Sequence, residues 1–200
     1  LAERKVQIIT PQRGEKKDIV EMAKENAKIA LENYEITKRN EVGGNIKVLE
    51  KLQKILKLDR LPMRIESFDI SNNGDSDIDG SMVVFTGGKP DKSQYKKYKI
   101  KTLDKRSDVG SMNEMLTRRY TRLKNGDKGF ENAPDLILMD GGLQQVAEAE
   151  NVLSNIGVTI PVFGMVKDNH HRSRGIVSKN TGEFDITTDP DIWRFITDVQ

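Results

Sequence analysis

The run Pro134-Asp135-Leu136-Ile137-Leu138-Met139-Asp140-Gly141-Gly142 is the most informative in the chain. Four consecutive apolar residues with no polar alternation describe a strand buried on both faces, as central strands are in a sheet covered by helices. Asp140 closes the run, and Gly141-Gly142 turns the chain out of it. Downstream, Gln144 to Ile156 has the period of a helix and Ile160 to Val166 that of a further strand. The run therefore opens a parallel βα unit.

Upstream, Asp108 to Lys124 predicts a helix with Val109, Met112, Met115, Leu116 and Tyr120 on one side, stopped by Asn125-Gly126. Before it stand three strands, Arg64 to Ser71, Ser81 to Thr86 and Tyr95 to Thr102. They are joined by a polar turn, Asn72 to Gly80, and by a second turn at Gly87-Gly88-Lys89-Pro90. Beyond the βα units, Ile176 to Ile186 predicts a hairpin around Asn180-Thr181-Gly182. Asp189-Pro190 then opens a closing helix containing Ile192, Trp193, Phe195, Ile196 and Val199. A three-stranded antiparallel meander extended by parallel βα units and flanked by helices is the ribonuclease H-like layout of a mixed α/β sheet.

Residues 1–60 read as a lead-in to the domain at 61–200. Val6 to Thr10 predicts a short strand, Asp18 to about Tyr34 a helix, and Ile46 to Leu58 a second helix after Gly43-Gly44, ended by Pro62. The first residues show neither an initiator Met nor a signal peptide. The last helix reaches Gln200 with no terminating residue, so the expectation is a fragment cut in mid-helix.

The composition, 36% hydrophobic and 32% charged with mean hydropathy −0.61, is that of a globular chain, and no apolar run approaches the ~20 residues of a membrane span. There is no cysteine, which excludes disulfides and thiolate metal sites and points to a reducing, cytoplasmic setting. With only His170 and His171 present, a histidine-rich zinc site is not expected. No Gly-rich Walker loop is present either. The net charge of +2 conceals a division: residues 89–129 carry 13 Lys/Arg against 5 Asp/Glu, whereas 130–200 carry 5 against 11. Such a division describes either a phosphate-contacting face beside a cation site or an ordinary solvated surface.

Within the strands two carboxylates stand out. Asp69 lies in Ile65-Glu66-Ser67-Phe68-Asp69-Ile70-Ser71, where a charge is costly to bury unless it is hydrogen-bonded or binds a metal. Asp140 ends the apolar strand, and ligands of α/β sheets gather beyond the carboxyl ends of strands. Taken singly, each also reads as a turn or capping residue. Together they suit Mg²⁺ or Mn²⁺, hard cations that activate water and stabilise the leaving oxygen of a phosphodiester. Arg118, Arg119 and Tyr120 offer bidentate phosphate contacts and a stacking ring, or alternatively form a basic helix end complementing its dipole. In the loop Lys167-Asp168-Asn169-His170-His171-Arg172, the residues Lys167, His171 and Arg172 are candidates for phosphate contact, with a solvated loop as the alternative. Asp75, Asp77 and Asp79 alternate like a calcium loop, but the position of the closing Glu holds Thr86, so the expectation is an acidic hairpin turn.

Several segments, in order along the chain, resemble the UvrC family. They are Pro11-Gln12-Arg13-Gly14, Glu25-Asn26-Ala27, Phe68-Asp69-Ile70-Ser71, Met82-Val83-Val84-Phe85, Leu116-Thr117-Arg118-Arg119-Tyr120, Pro134 to Gly142, Lys167-Asp168 and His171-Arg172. The resemblance implies a ribonuclease H-like, endonuclease V-related domain that makes the 5′ incision beside a DNA lesion with a divalent metal, Mg²⁺ or Mn²⁺. Asp69 and Asp140 would be its catalytic metal ligands, and Arg118, Arg119, Tyr120, Lys167, His171 and Arg172 would lie on the DNA. The implied partners are damaged double-stranded DNA and UvrB, the latter held mostly by regions outside this chain. A segment carrying a catalytic His would follow Gln200, which makes an inactive fragment an expectation. Leu143 stands where the family pattern has Lys. The alternative function is a non-catalytic ribonuclease H-like module that binds nucleic acid or a repair partner.

Overall fold

The computed structural model describes residues 11–73, 77–101, 108–168 and 172–200. Two compact units are present, residues 1–44 and 45–200. The described part of the first is a turn at 11–14 and the opening turns of α1 (Glu15–Leu56), on which Ile19, Met22, Leu31 and Tyr34 are exposed. The strand expected at Val6 to Thr10 lies outside the described residues. Two helices were expected between 18 and 58, yet α1 runs unbroken for 42 residues through Gly43 and Gly44. A glycine costs a helix ~1 kcal/mol without ending it, and here the apolar period resumes at once with Ile46, Val48, Leu49 and Leu52.

The second unit is built on one eight-stranded sheet. Its strands are β1 (Arg64–Asn73), β2 (Asp77–Thr86), β3 (Lys89–Pro90), β4 (Lys96–Lys99), β5 (Leu136–Asp140), β6 (Val162–Lys167), β7 (Ser173–Ser178) and β8 (Gly182–Asp185). Their order is β3-β2-β1-β5-β6-β7-β8, with β4 also pairing with β2. β1 and β2 are antiparallel, β5 lies parallel to β1 and β6 parallel to β5, and β7 and β8 return antiparallel. This is the expected ribonuclease H-like mixed sheet, an antiparallel meander extended by parallel βα units. Three further helices are α2 (Asp108–Lys124), α3 (Leu143–Ile156) and α4 (Pro190–Val199).

Strand alternation sorts the core into two layers. Phe68, Met82, Val84, Ile137 and Met139 pack with Met112, Met115 and Leu116 of α2 and with Val146, Ala149 and Val152 of α3. Ile65, Phe85, Leu136, Leu138, Phe163 and Met165 face Leu49, Leu52 and Leu56 of α1 and Ile192, Phe195 and Ile196 of α4. The four apolar residues of β5 are completely buried, each stabilising by about 1.5–3 kcal/mol, and they divide between the layers as a central strand must. On the second layer, α4 is capped by the Asp189 carboxylate, which accepts from the Asp191 and Ile192 N–H groups. Lys51 of α1 is ion-paired to Asp189 and Asp191 at 3.0 and 2.7 Å.

The first hairpin departs from the sequence reading. Asn72 to Gly80 was expected as a turn, but the ladder continues to Asn73 opposite Asp77. Ile78, Asp79 and Gly80 are buried strand residues, and Asp75 of the acidic alternation lies outside the described residues. The third expected strand, Tyr95 to Thr102, is shortened to β4, and a 3-10 turn at Lys92–Gln94 separates it from the two-residue β3. Asp91 fixes that turn by accepting from Ser93 Oγ at 2.6 Å and Gln94 Nε2 at 3.1 Å. Among the described residues no helix is long and apolar enough to cross a membrane.

Candidate active site at the strand ends

Parity along the strands places the functional side chains. Asp69 shares its face of β1 with Ile65, Asp140 its face of β5 with Leu136 and Leu138, and Lys167 its face of β6 with Phe163 and Met165. All three therefore lie on the α1 and α4 side of the sheet, where β5 and β6 end beside the middle of the longer parallel strand β1. This is where ligands of open α/β sheets sit. The ladder slips between Val166 and Lys167, an irregularity of the kind that re-aims a side chain beside a site.

The Asp69 and Asp140 carboxyls are within hydrogen-bond reach of each other, and Lys167 Nζ donates to Asp140 Oδ2 at 2.8 Å. Burial, and then the negative charge of Asp140, push the Asp69 carboxyl above the usual carboxylate range against the pull of Lys167 and the Ile70 N–H. A like-charged pair at this separation is stable when a proton or a cation lies between its oxygens. Among the described residues no set of three or more Asp, Glu or His side chains gathers to hold a metal. Asp69 and Asp140 are the two carboxylates here that could hold a metal, and a pair of oxygen donors suits an ion such as Mg²⁺ that retains several waters.

Backbone geometry fixes Asp140. Gly141 has φ +149°, and a Cβ there would come within 2.6 Å of the Gln145 side chain. A Cβ on Gly164 of β6 would lie 2.3 Å from the Gly141 carbonyl oxygen, so the turn after Asp140 closes only over a strand that is bare at that point. Leu143 follows as the first residue of α3 and is exposed.

One contributor was missed by the sequence reading. Gln200 Nε2 donates to Asp140 Oδ1 at 3.4 Å, and its Oε1 accepts from Ser173 Oγ. The end of α4 is held there by a column of contacts on Ser173: Trp193 Nε1 donates to the Ser173 carbonyl at 3.0 Å and Thr197 Oγ1 to Ser173 Oγ at 3.3 Å. The spacing Trp193, Thr197, Gln200 marks one helix face, and that period is the signal that could have linked them.

Other expected contacts are not where the sequence placed them. Arg119 and Tyr120, taken for a DNA path, are 1% and 0% exposed. Arg119 donates to Glu66 at 2.7 and 3.1 Å and to the Phe130 and Asn132 carbonyls at 3.0 and 2.7 Å, while Tyr120 Oη donates to Glu66 Oε2 at 3.1 Å. Burial opposes the Arg119 charge, yet the Glu66 carboxylate outweighs it and holds the guanidinium above its ordinary value. Both residues are corrected to buried structural roles, since neither reaches solvent. Arg118 is exposed, but on α2, whose layer is opposite Asp69. It donates to the Lys99 carbonyl at 2.8 Å and lies over the Tyr98 ring. Arg172 is exposed, and its N–H donates to Asp168 Oδ1 at 2.9 Å, closing the loop after β6. His171 lies outside the described residues.

Residues 53–200 match the model of the UvrC RNAse H endonuclease domain, and residues 1–34 that of the UvrC Ribonuclease H-like domain. The chain is 42% identical to UvrABC system protein C of Acetivibrio thermocellus and 44% identical to that of Clostridioides difficile. In both cases 98% of the chain aligns, with 34% and 31% of the relative. The chain thus spans about a third of the length of the curated relatives it matches. Among solved structures, Ciona intestinalis endonuclease V in complex with inosine-containing DNA is 15% identical at TM-score 0.41, over 68% of this chain and 59% of that one. Human ENDOV is 10% identical at TM-score 0.38, over 64% and 71%. On the match to residues 53–200, the chain belongs to the UvrC family, within its RNase H endonuclease domain.

Proposed function

We propose that the chain is the divalent-metal-dependent DNA endonuclease unit of a nucleotide excision repair incision protein, cutting the strand 5′ of a lesion. The observation that carries this reading is the Asp69–Asp140 carboxylate pair on adjacent parallel strands, where β5 ends beside β1, with Lys167 donating to Asp140 Oδ2. A pure binding surface for a polyanion gains nothing from clustered carboxylates, which repel phosphate. The relatives' name places them in the UvrABC system, which supports damaged double-stranded DNA as substrate and UvrB as partner.

Asp69 and Asp140 would hold Mg²⁺ or Mn²⁺, which when bound supplies an activated water and neutralises charge on the leaving oxygen. This chain's own side chains do the rest. Lys167 donates to Asp140 and, at the exposed rim, offers its ammonium to a phosphate oxygen. Gln200 fixes the rotation of the Asp140 carboxylate from its other oxygen, so that this ligand is oriented before substrate arrives. Arg172, exposed where β7 begins, extends the cationic rim.

The test is incision of a lesion-containing duplex, pre-bound by UvrB, by full-length UvrC carrying this chain, with and without Asp140→Ala, in Mg²⁺. The expected outcome is loss of the 5′ cut alone. An unchanged 5′ cut would reduce Asp140 to a turn residue and leave a non-catalytic binding module.

A further inference from the structure

The face of the sheet that carries Asp69 does not end at the metal pair. The apolar layer under α1 and α4 reaches Phe85 and Val83 on β2, and the same face then continues as Ser81 and Asp79 on β2 and Lys97 and Lys99 on β4. Registry ties this surface to the site: Asp69 is opposite Ser81, and Ser81 is opposite Lys97. Two strand spacings of about 4.8 Å put Lys97 ~10 Å from Asp69, about three phosphates along one DNA strand at B-form rise.

A cavity of about 310 Å³ opens on this face, lined by Ser71, Ser81, Val83, Tyr95 and Lys97. The carboxylate in its lining, Asp79, is 8% exposed, and its Oδ2 is paired at 2.8 Å with Lys97 Nζ, whose side chain remains 71% exposed. The acid is therefore underneath and the ammonium on top. Tyr95 is 36% exposed at the rim of the cavity, and Lys99 is exposed beside it on the edge strand.

Resting on the nuclease reading above, we propose that this groove is the path of the DNA strand leading into the metal pair. Lys97 and Lys99 contact its phosphates, and Tyr95 is the platform for a base or sugar. The occupant follows from charge complementarity on the exposed β4 edge and from continuity with Asp69. Exposed ammonium groups against a polyanion with a stacking ring alongside are the recurrent design for strand tracking. This assignment replaces the Arg119–Tyr120 path, which faces the other layer and is buried.

The experiment uses the full-length protein and a fluorescent lesion-containing duplex in Ca²⁺, with affinity measured by anisotropy from 50 to 300 mM salt. Lys97→Gln/Lys99→Gln should lower affinity about tenfold at 100 mM salt and reduce the slope of log K against log salt by ~2, since each phosphate contact contributes ~0.9. At subsaturating DNA its nicking in Mn²⁺ should fall in step with the lost affinity. Because Lys97→Gln strips Asp79 of its ion pair, a photocrosslinking residue at Tyr95 gives a second readout with both lysines intact, and it should attach to the strand that is cut. An unchanged salt slope together with no crosslink overturns the proposal. Loss of nicking only on UvrB-bound DNA, with the slope unchanged, overturns it also and gives the surface to a protein partner. A reduced slope and a crosslink in a wild-type background that never nicks would uphold the groove while sinking the nuclease reading.

Discussion

Glu66 and Asp69 stand three residues apart on one strand and meet opposite fates, because odd separation puts them on opposite faces of β1. Glu66 is buried against α2 and accepts from Arg119, Tyr120 and Arg64, the last at 2.8 Å, so its charge is fully partnered. Asp69 opens toward Asp140. The sequence drew attention to Asp69 and Asp140 by their placement in apolar strands, and the structure joins them. It also drew attention to Arg119 and Tyr120 by residue type, and there it failed, because an Arg-Tyr pair looks alike whether it binds phosphate or a buried carboxylate. Strand parity held the missing signal: Glu66 shares its side with Phe68, which makes it the acid that needs an internal cation. Removing one partner of such a pair is costly. Arg119→Met should lower stability by about 3–5 kcal/mol in urea unfolding, and Glu66→Met/Arg119→Met should recover at least half of that. The salt slope for DNA binding should not move, whereas a reduced slope with unchanged stability would restore Arg119 to the DNA.

At the scale of elements, α2 was legible to its ends because its period and its Asn125-Gly126 stop agree. The β1–β2 hairpin and α1 were misjudged in opposite directions, each by giving local punctuation too much weight. The polar residues 72–80 suggested a turn, but pairing of β2 with both β1 and β4 draws Ile78 to Gly80 into the sheet. Gly43-Gly44 suggested a break, but nothing opposes continuing the helix there: a Cβ on either glycine meets no atom within 4 Å, and neither has a left-handed φ. Alanine should therefore fit and narrow the unfolded ensemble. Gly43→Ala and Gly44→Ala are each expected to raise stability by about 0.5–1 kcal/mol and to increase helical ellipticity. A break at this point would instead give no gain or a loss.

At the scale of the whole molecule, distant segments converge on the central strands of the sheet: Asp69 from the meander, Asp140 and Lys167 from the βα units, and Gln200 from the closing helix. The basic segment 89–129 was legible as a charge block but not as a surface. Alternation sends Lys97 and Lys99 to the face of Asp69, while Arg118 and Arg122 stay with α2 around Tyr98 and Phe130. Only the sheet register reveals that division. On the metal site proposed above, the convergence of two carboxylates predicts a fold that responds to cations. With chelator present, Asp69 holds a carboxyl raised by burial and by Asp140, so the native state binds the extra proton. The stability associated with that proton is present at low pH and lost as pH rises through the raised value. A divalent cation takes over the proton's role above that point. Thermal unfolding of this chain at neutral pH should therefore shift upward on adding Mn²⁺, by ~5–10 °C at a hundredfold excess over Kd, since native-state binding there contributes about 2.7 kcal/mol. The shift should shrink as pH falls into the range where Asp69 is protonated. In Asp140→Asn it should vanish, while the melting temperature in chelator rises by about 2 °C because the repulsion is gone. An equal Mn²⁺ shift in wild type and Asp140→Asn would mean that the cation binds elsewhere and that the carboxylate pair is not a metal site.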